Sequence, residues 1–186
     1  MQSGRLPEAR QVTCTNWDER PPGSTVDLLV IHGISLPPGE FGGPWIDALF
    51  RNRLDPGAHP YFQEIAHQRV SAHLLIRRDG KLIQYVDLNK RAWHAGQSSF
   101  EGRRRCNDFS IGIELEGADQ VPYEEAQYLM LARATRAIQI HFPSIGPGRI
   151  VGHSDIAPGR KTDPGPAFDW DRFHRLLELT TEFGAE

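Results

Sequence analysis

Apolar and polar positions along this chain follow two periods, and the points where one gives way to the other mark its elements. Val26-Asp27-Leu28-Leu29-Val30-Ile31 is a short, β-branched apolar run of the kind that forms a buried strand, and it delivers His32 directly into Gly33-Ile34-Ser35-Leu36-Pro37-Pro38-Gly39. Ile150-Val151-Gly152-His153 repeats that arrangement. A hairpin is predicted from strands at 72–77 and 82–86, because Asp79-Gly80 between two apolar runs favours a tight turn. Residues 109–116 alternate strictly, with Ile111, Ile113 and Leu115 pointing one way and Gly112, Glu114 and Glu116 the other. Three helices are predicted. A short one at 45–50 is opened by Pro44; a long one after Pro122 carries Tyr128, Leu131, Ala132, Thr135, Ile138 and Phe142 and ends at Pro143; the last starts at the candidate cap Asp169 and buries Trp170, Phe173, Leu176 and Leu177. Strands and helices intermixed around a hairpin imply an α/β (mixed α+β) fold with a central mixed β-sheet flanked by helices. No repeat, low-complexity tract or linker divides the chain, so residues 1–186 are read as a single domain.

Composition changes this picture little. With 186 residues, 39% hydrophobic and 24% charged, the chain suits one soluble domain with a sizeable core. A net charge of -3 argues against nucleic acid, and Arg103-Arg104-Arg105 is a local basic turn without interleaved aromatics. The N-terminal residues show no apolar signal core, and no stretch approaches the ~18 apolar residues of a membrane span, so a cytoplasmic setting is expected. Cys14 and Cys106 are too far apart in sequence to suggest a paired thiolate site.

The candidate chemistry is concentrated in Gly152-His153-Ser154-Asp155-Ile156-Ala157-Pro158-Gly159-Arg160-Lys161-Thr162-Asp163-Pro164-Gly165, read as an irregular loop held by its Pro and Gly residues. Its plain alternative is a solvated polar loop. The second histidine at a strand end weighs against that alternative, because two such histidines can converge at one edge of a sheet. His32, His153 and Asp163 then form a three-ligand set that leaves the fourth tetrahedral position of a zinc ion open to water, the pattern of a catalytic site. Hydrolysis also needs a base and a group to hold developing negative charge. Glu114 is the candidate base, although the pattern by itself favours solvent for both Glu114 and Glu116. Lys161 is the candidate oxyanion stabiliser; its alternative is an ordinary surface lysine. His59, His67, His73, His94, His141 and His174 show no ligand pattern and are read mostly as structural or exposed.

Long stretches carry a family resemblance: Leu29-Val30-Ile31-His32, the run from Ile34 through Leu36-Pro37-Pro38-Gly39-Glu40-Phe41-Gly42-Gly43 to Pro44-Trp45, Arg91-Ala92-Trp93-His94-Ala95-Gly96, the run from Cys106-Asn107-Asp108 to Glu114-Leu115-Glu116-Gly117, and His153-Ser154-Asp155-Ile156-Ala157-Pro158. Over nearly its whole length the chain resembles the AmpD-type 1,6-anhydro-N-acetylmuramoyl-L-alanine amidases, within the N-acetylmuramoyl-L-alanine amidase group that also holds phage amidases and peptidoglycan recognition proteins. The resemblance implies one zinc per chain on His32, His153 and Asp163, and catalysis by Glu114 and Lys161. It implies hydrolysis of the lactyl amide between anhydro-muramic acid and the L-alanine of a stem peptide, in cytoplasmic cell-wall recycling. Arg69 and Arg105 would grip the stem-peptide carboxylates and Trp93 would line the sugar side. The expected partner is the anhydro-muropeptide substrate, with no nucleic acid, membrane or protein partner. Gly33 departs from the family pattern, which has Asn after the first histidine, and puts one substrate contact in question. Some members of the group place a Tyr near the zinc water; Tyr61 and Tyr85 are the two candidates for that region. The rival readings are a muropeptide-binding module of the same architecture, which the complete set of five polar residues argues against, and a secreted autolysin, whose export signal and wall-binding repeats are missing.

Overall fold

The computed structural model describes residues 4–182. In chain order the elements are β1 (Arg10–Gln11), β2 (Trp17–Asp18), β3 (Leu28–Ile34), α1 (Trp45–Phe50), α2 (Pro60–Ile65), β4 (Leu74–Ile76), β5 (Leu82–Gln84), β6 (Arg91–Ala92), β7 (Ser99–Phe100), β8 (Arg103–Arg104), β9 (Ser110–Glu116), α3 (Glu125–His141), β10 (Ile150–Gly152), α4 (His153–Ile156) and α5 (Trp170–Glu182). Six strands form one mixed sheet in the order β1-β5-β4-β9-β3-β10, in which only β4 and β5 pair antiparallel. The expected hairpin is therefore present, with shorter strands than the apolar runs suggest. Its turn is closed by the Arg77 amide donating to the Lys81 carbonyl, and Gly80 takes a φ of 80°, the left-handed conformation that favours glycine.

Alternation along the strands sorts the core into two layers. Leu29, Ile31, Leu74, Ile76, Ile111, Ile113 and Leu115 meet Tyr128, Leu131 and Ile138 of α3 and Phe173 of α5. On the other side Leu75 and Ile83 meet Ile46, Leu49 and Phe50 of α1 and Phe62 and Ile65 of α2. Asp169 caps α5 as its position predicts, accepting from the Arg172 amide at 2.9 Å. Because both faces are covered, every residue of β9 is buried. That overturns the solvent expectation for Glu114 and Glu116, which the period-two pattern could not distinguish from a covered polar face.

The parallel strands place the site. In the β3–β9 register His32 lies beside Glu114, and in the β10–β3 register Gly152 lies beside Ile31, so His153 follows next to His32. Three polar residues thus sit in a row across the C-terminal edge of three adjacent parallel strands, where open α/β sheets characteristically hold their ligands.

Candidate active site

The inward nitrogens of the two histidines and one oxygen of Asp163 converge on a point. His32 Nδ1 is 2.9 Å from His153 Nδ1 and 3.3 Å from Asp163 Oδ2, and His153 Nδ1 is 3.0 Å from that oxygen. A tetrahedral zinc with bonds of about 2.0 Å sets its ligand atoms roughly 3.3 Å apart, so the donor set and its spacing fit the metal. Each histidine uses its other nitrogen outward: His32 Nε2 lies 2.9 Å from His94 Nδ1, and His153 Nε2 lies 3.2 Å from the Ala95 carbonyl oxygen. Among the described residues this is the one group of His, Cys, Asp and Glu whose donor atoms are close enough to share an ion.

The segment carrying His153 and Asp163, expected from its Pro and Gly content to be loop throughout, is not all loop. Residues His153–Ile156 make one helical turn, with Asp155 Oδ2 accepting from the Gly152 amide at 2.7 Å. The chain beyond that turn is irregular and tied back to it, the Ser154 amide donating to the Asp163 carbonyl at 3.0 Å. The Gly33 amide lies 3.4 Å from Asp163 Oδ2, and the Tyr123 hydroxyl donates to the Pro164 carbonyl at 2.9 Å. A Cβ at position 33 would overlap that hydroxyl, so any larger residue there must displace the Tyr123 ring.

Burial sets the charge states. It pushes the His32 pKa down to about 4 against the opposing pull of Asp163, which keeps the imidazole neutral, the form that binds a metal. Burial alone would raise the Asp163 pKa, but hydrogen bonds from His153 and His32 hold the carboxyl well below the usual range. Glu114 goes the other way: burial and the Asp163 charge raise it well above the ordinary carboxyl value, with Lys161 opposing. Its Oε2 is buried with no hydrogen-bond partner among the described residues. Glu116, two residues on, is saturated. It pairs with Arg77 at 2.9 Å and accepts from the Gly42 and Arg78 amides at 2.7 and 3.2 Å, pinning the 35–43 loop to the sheet. The two carboxylates of one strand face are therefore separated by their partners, one structural and one free.

Glu114 opens on a cleft of 540 Å³ whose lining includes Trp93, His94, His153, Lys161 and Asp163, with Leu36, Phe50, Ile65 and Val70 on an apolar wall. Lys161 is an exposed lining residue. The Trp93 indole N–H is buried without a partner among the described residues. Arg69 and Arg105 are outside this lining. Arg69 is exposed between Gln68 and Val70, which do line the cleft, and Arg105 is exposed, held in a left-handed conformation with φ 63° and paired with Asp108 at 3.3 Å. Tyr61 lines the cleft, whereas Tyr85 is buried elsewhere with its hydroxyl on Asp47. The residues that sequence reasoning passed over are His94, Ala95 and Tyr123. A glycine at position 112, in the middle of a buried strand, was the available signal for His94, because the ring fills the space that a Cβ would take.

A family profile described as N-acetylmuramoyl-L-alanine amidase matches residues 22–166. The 1,6-anhydro-N-acetylmuramyl-L-alanine amidase AmpD of Escherichia coli (strain K12) is 61% identical over 181 residues, covering 97% of this chain and 98% of its own. The protein of the same name from Haemophilus influenzae is 53% identical over 173 residues, covering 93% and 94%. Among solved structures, a crystal structure of a selenomethionine AmpD derivative superposes with a TM-score of 0.91 at 61% identity, covering 94% of this chain and 97% of that one. The E. coli amidase AmiD, in complex with the substrate anhydro-N-acetylmuramic acid-L-Ala-D-γ-Glu-L-Lys, superposes with a TM-score of 0.61 at 30% identity, covering 85% and 60%.

Proposed function

The chain belongs to the N-acetylmuramoyl-L-alanine amidase family, and from that premise we propose that it hydrolyses the amide between 1,6-anhydro-N-acetylmuramic acid and the L-alanine of a stem peptide, with one zinc ion held by His32, His153 and Asp163. The observation that carries this reading is the convergence of two buried imidazoles and one carboxylate beside an unpartnered glutamate. Zinc, when bound, supplies Lewis-acid polarisation of a carbonyl oxygen and acidifies water in its open position.

The chain's own residues supply the rest. Glu114, with its proton affinity raised by burial and by Asp163, takes the proton of the attacking water and returns it to the departing amine; a base whose pKa is raised toward working pH performs both transfers well. Lys161 faces the cleft and offsets the negative charge that grows on the carbonyl oxygen. Trp93, which lines the cleft, presents its ring to the saccharide. Leu36, Phe50, Ile65 and Val70 offer an apolar wall of the cleft to the uncharged parts of the substrate. No helix among the described residues is long and apolar enough to cross a membrane. The setting proposed is the cytoplasm, with soluble muropeptides from wall turnover as substrate and no nucleic acid, membrane or protein partner.

Purified protein should release the free stem peptide from anhydro-muropeptide, read by mass spectrometry, and lose that activity with a chelator and regain it with zinc. Binding of the muropeptide without cleavage in either arm would instead identify a muropeptide-binding protein. Arg69 and Arg105 are proposed to hold the free carboxylates of the stem peptide; Arg69 has no ion-pair partner among the described residues to compete for its guanidinium. Arg69→Lys and Arg105→Lys keep the charge and lose the planar fork, so each should raise KM for a tripeptide-bearing substrate roughly 5- to 30-fold, with zinc content and kcat little changed. Unchanged KM in both, or equal cleavage of amidated and free substrates, would remove this clamp.

A further inference from the structure

The two metal-facing imidazoles are held from behind by a single stretch of two residues, His94-Ala95. If His32 and His153 offer Nδ1 to a metal, each must carry its proton on Nε2, and each Nε2–H needs an acceptor. For His153 the acceptor is the Ala95 carbonyl oxygen at 3.2 Å. For His32 it is His94 Nδ1 at 2.9 Å, and this assigns the proton of His94 to Nε2, which donates to Ser110 Oγ at 3.2 Å. The chain of donors runs in one direction from the metal side to the start of β9. Both nitrogens of His94 are thereby committed, although the ring borders the cleft.

Three features hold the ring in place. The Asn107 side-chain oxygen accepts from the backbone amides of both His94 and Ala95, at 3.1 and 2.8 Å, so one side chain fixes the stretch that meets both histidines. Gly112 makes room for the ring, since a Cβ there would lie 2.5 Å from His94 Cγ. The His73 ring packs behind it, edge to face, with centroids 5.7 Å apart.

We propose that His94 is a positioning residue for the metal centre: it accepts from His32 Nε2–H and so presents His32 Nδ1 to the ion, in concert with the Ala95 carbonyl acting on His153. This rests on the zinc site proposed above, and its test separates the two. Zinc affinity of the purified protein is measured by competition with a chromophoric chelator for wild type, His94→Leu and His94→Asn, with folding followed by circular dichroism. Leu fills much of the space and offers no acceptor; the Asn amide oxygen stands near the position of Nδ1 and accepts. His94→Leu should bind zinc roughly 10- to 100-fold more weakly, the usual cost of losing an outer hydrogen-bond partner of a metal ligand. His94→Asn should recover most of that loss, which a purely space-filling role would not allow. Leu binding as tightly as wild type, or Asn as weakly as Leu, overturns the assignment of His94 and leaves the zinc site standing. Failure of wild type to bind zinc overturns both. If His94→Leu does not fold, Ser110→Ala removes the acceptor at the far end of the chain and leaves the ring; it should weaken zinc severalfold, and wild-type affinity would refute the proposal.

Discussion

Glu114→Gln is expected to lower turnover by roughly two to four orders of magnitude with zinc content unchanged, the usual scale of general acid–base assistance. The amide has nearly the shape of the carboxylate and cannot take a proton from water. The reason to single out this residue is its lack of partners: Glu116, on the same strand face, already holds Arg77 and two backbone amides, so Glu116→Gln should lower thermal stability by loosening the 35–43 loop and leave the turnover of folded enzyme largely intact. If Glu116→Gln is the catalytically damaging change and Glu114→Gln turns over normally, the base has been assigned to the wrong carboxylate. The same substitution has an opposite effect on stability. Glu114 carries a raised pKa in the fold, so its carboxyl remains protonated there at pH values where the unfolded chain ionises it. Stability from this group is complete below the ordinary carboxyl pKa and falls as pH rises from there toward the folded value. In metal-free protein, Glu114→Gln should therefore raise Tm at pH 8, and raise it by less at pH 5. A Tm difference that grows toward acid would contradict the raised pKa.

Asp163→Ala is expected to abolish activity and to cost more zinc affinity than the roughly 10- to 100-fold of an outer-partner loss, because a ligand itself is removed. Without the carboxylate, His32 Nδ1 and His153 Nδ1 face each other at 2.9 Å with no anion between them, and two neutral nitrogens make a weak site for a doubly charged ion. The fold should survive, since the loop around Asp163 is held by backbone hydrogen bonds from Ser154 and by Tyr123 on Pro164. Asp155 is the matched control. It lies in the same segment but caps the Gly152 amide at 2.7 Å, so Asp155→Asn should keep zinc. Metal analysis after gel filtration reads both variants; full occupancy in Asp163→Ala would strike Asp163 from the ligand set.

What was legible in the sequence is local. The buried run ending in His32, the Asp79-Gly80 turn, the strict alternation of 109–116 and the Asp169 cap each depend on the order of neighbouring residues, and each appears in the structure within a few positions of where its pattern puts it. That two histidines end apolar strands was visible for the same reason. The roles expected of Arg69, Arg105 and Trp93 came from family resemblance, since no periodicity marks them.

Tertiary structure alone decided the rest. Glu114 and Glu116 are equivalent to any pattern, and only the packing of α1, α2 and the 35–43 loop over that face buries them, while Arg77 and the Gly42 and Arg78 amides tell one from the other. His94 looks like any isolated histidine until the β3–β9 pairing brings it between His32 and a glycine that leaves room for its ring. The physical reason is that periodicity is a property of adjacent residues, whereas the register that sets His153, His32 and Glu114 in one row belongs to parallel strands joined by long crossovers, and the packing of both faces of the sheet chooses it.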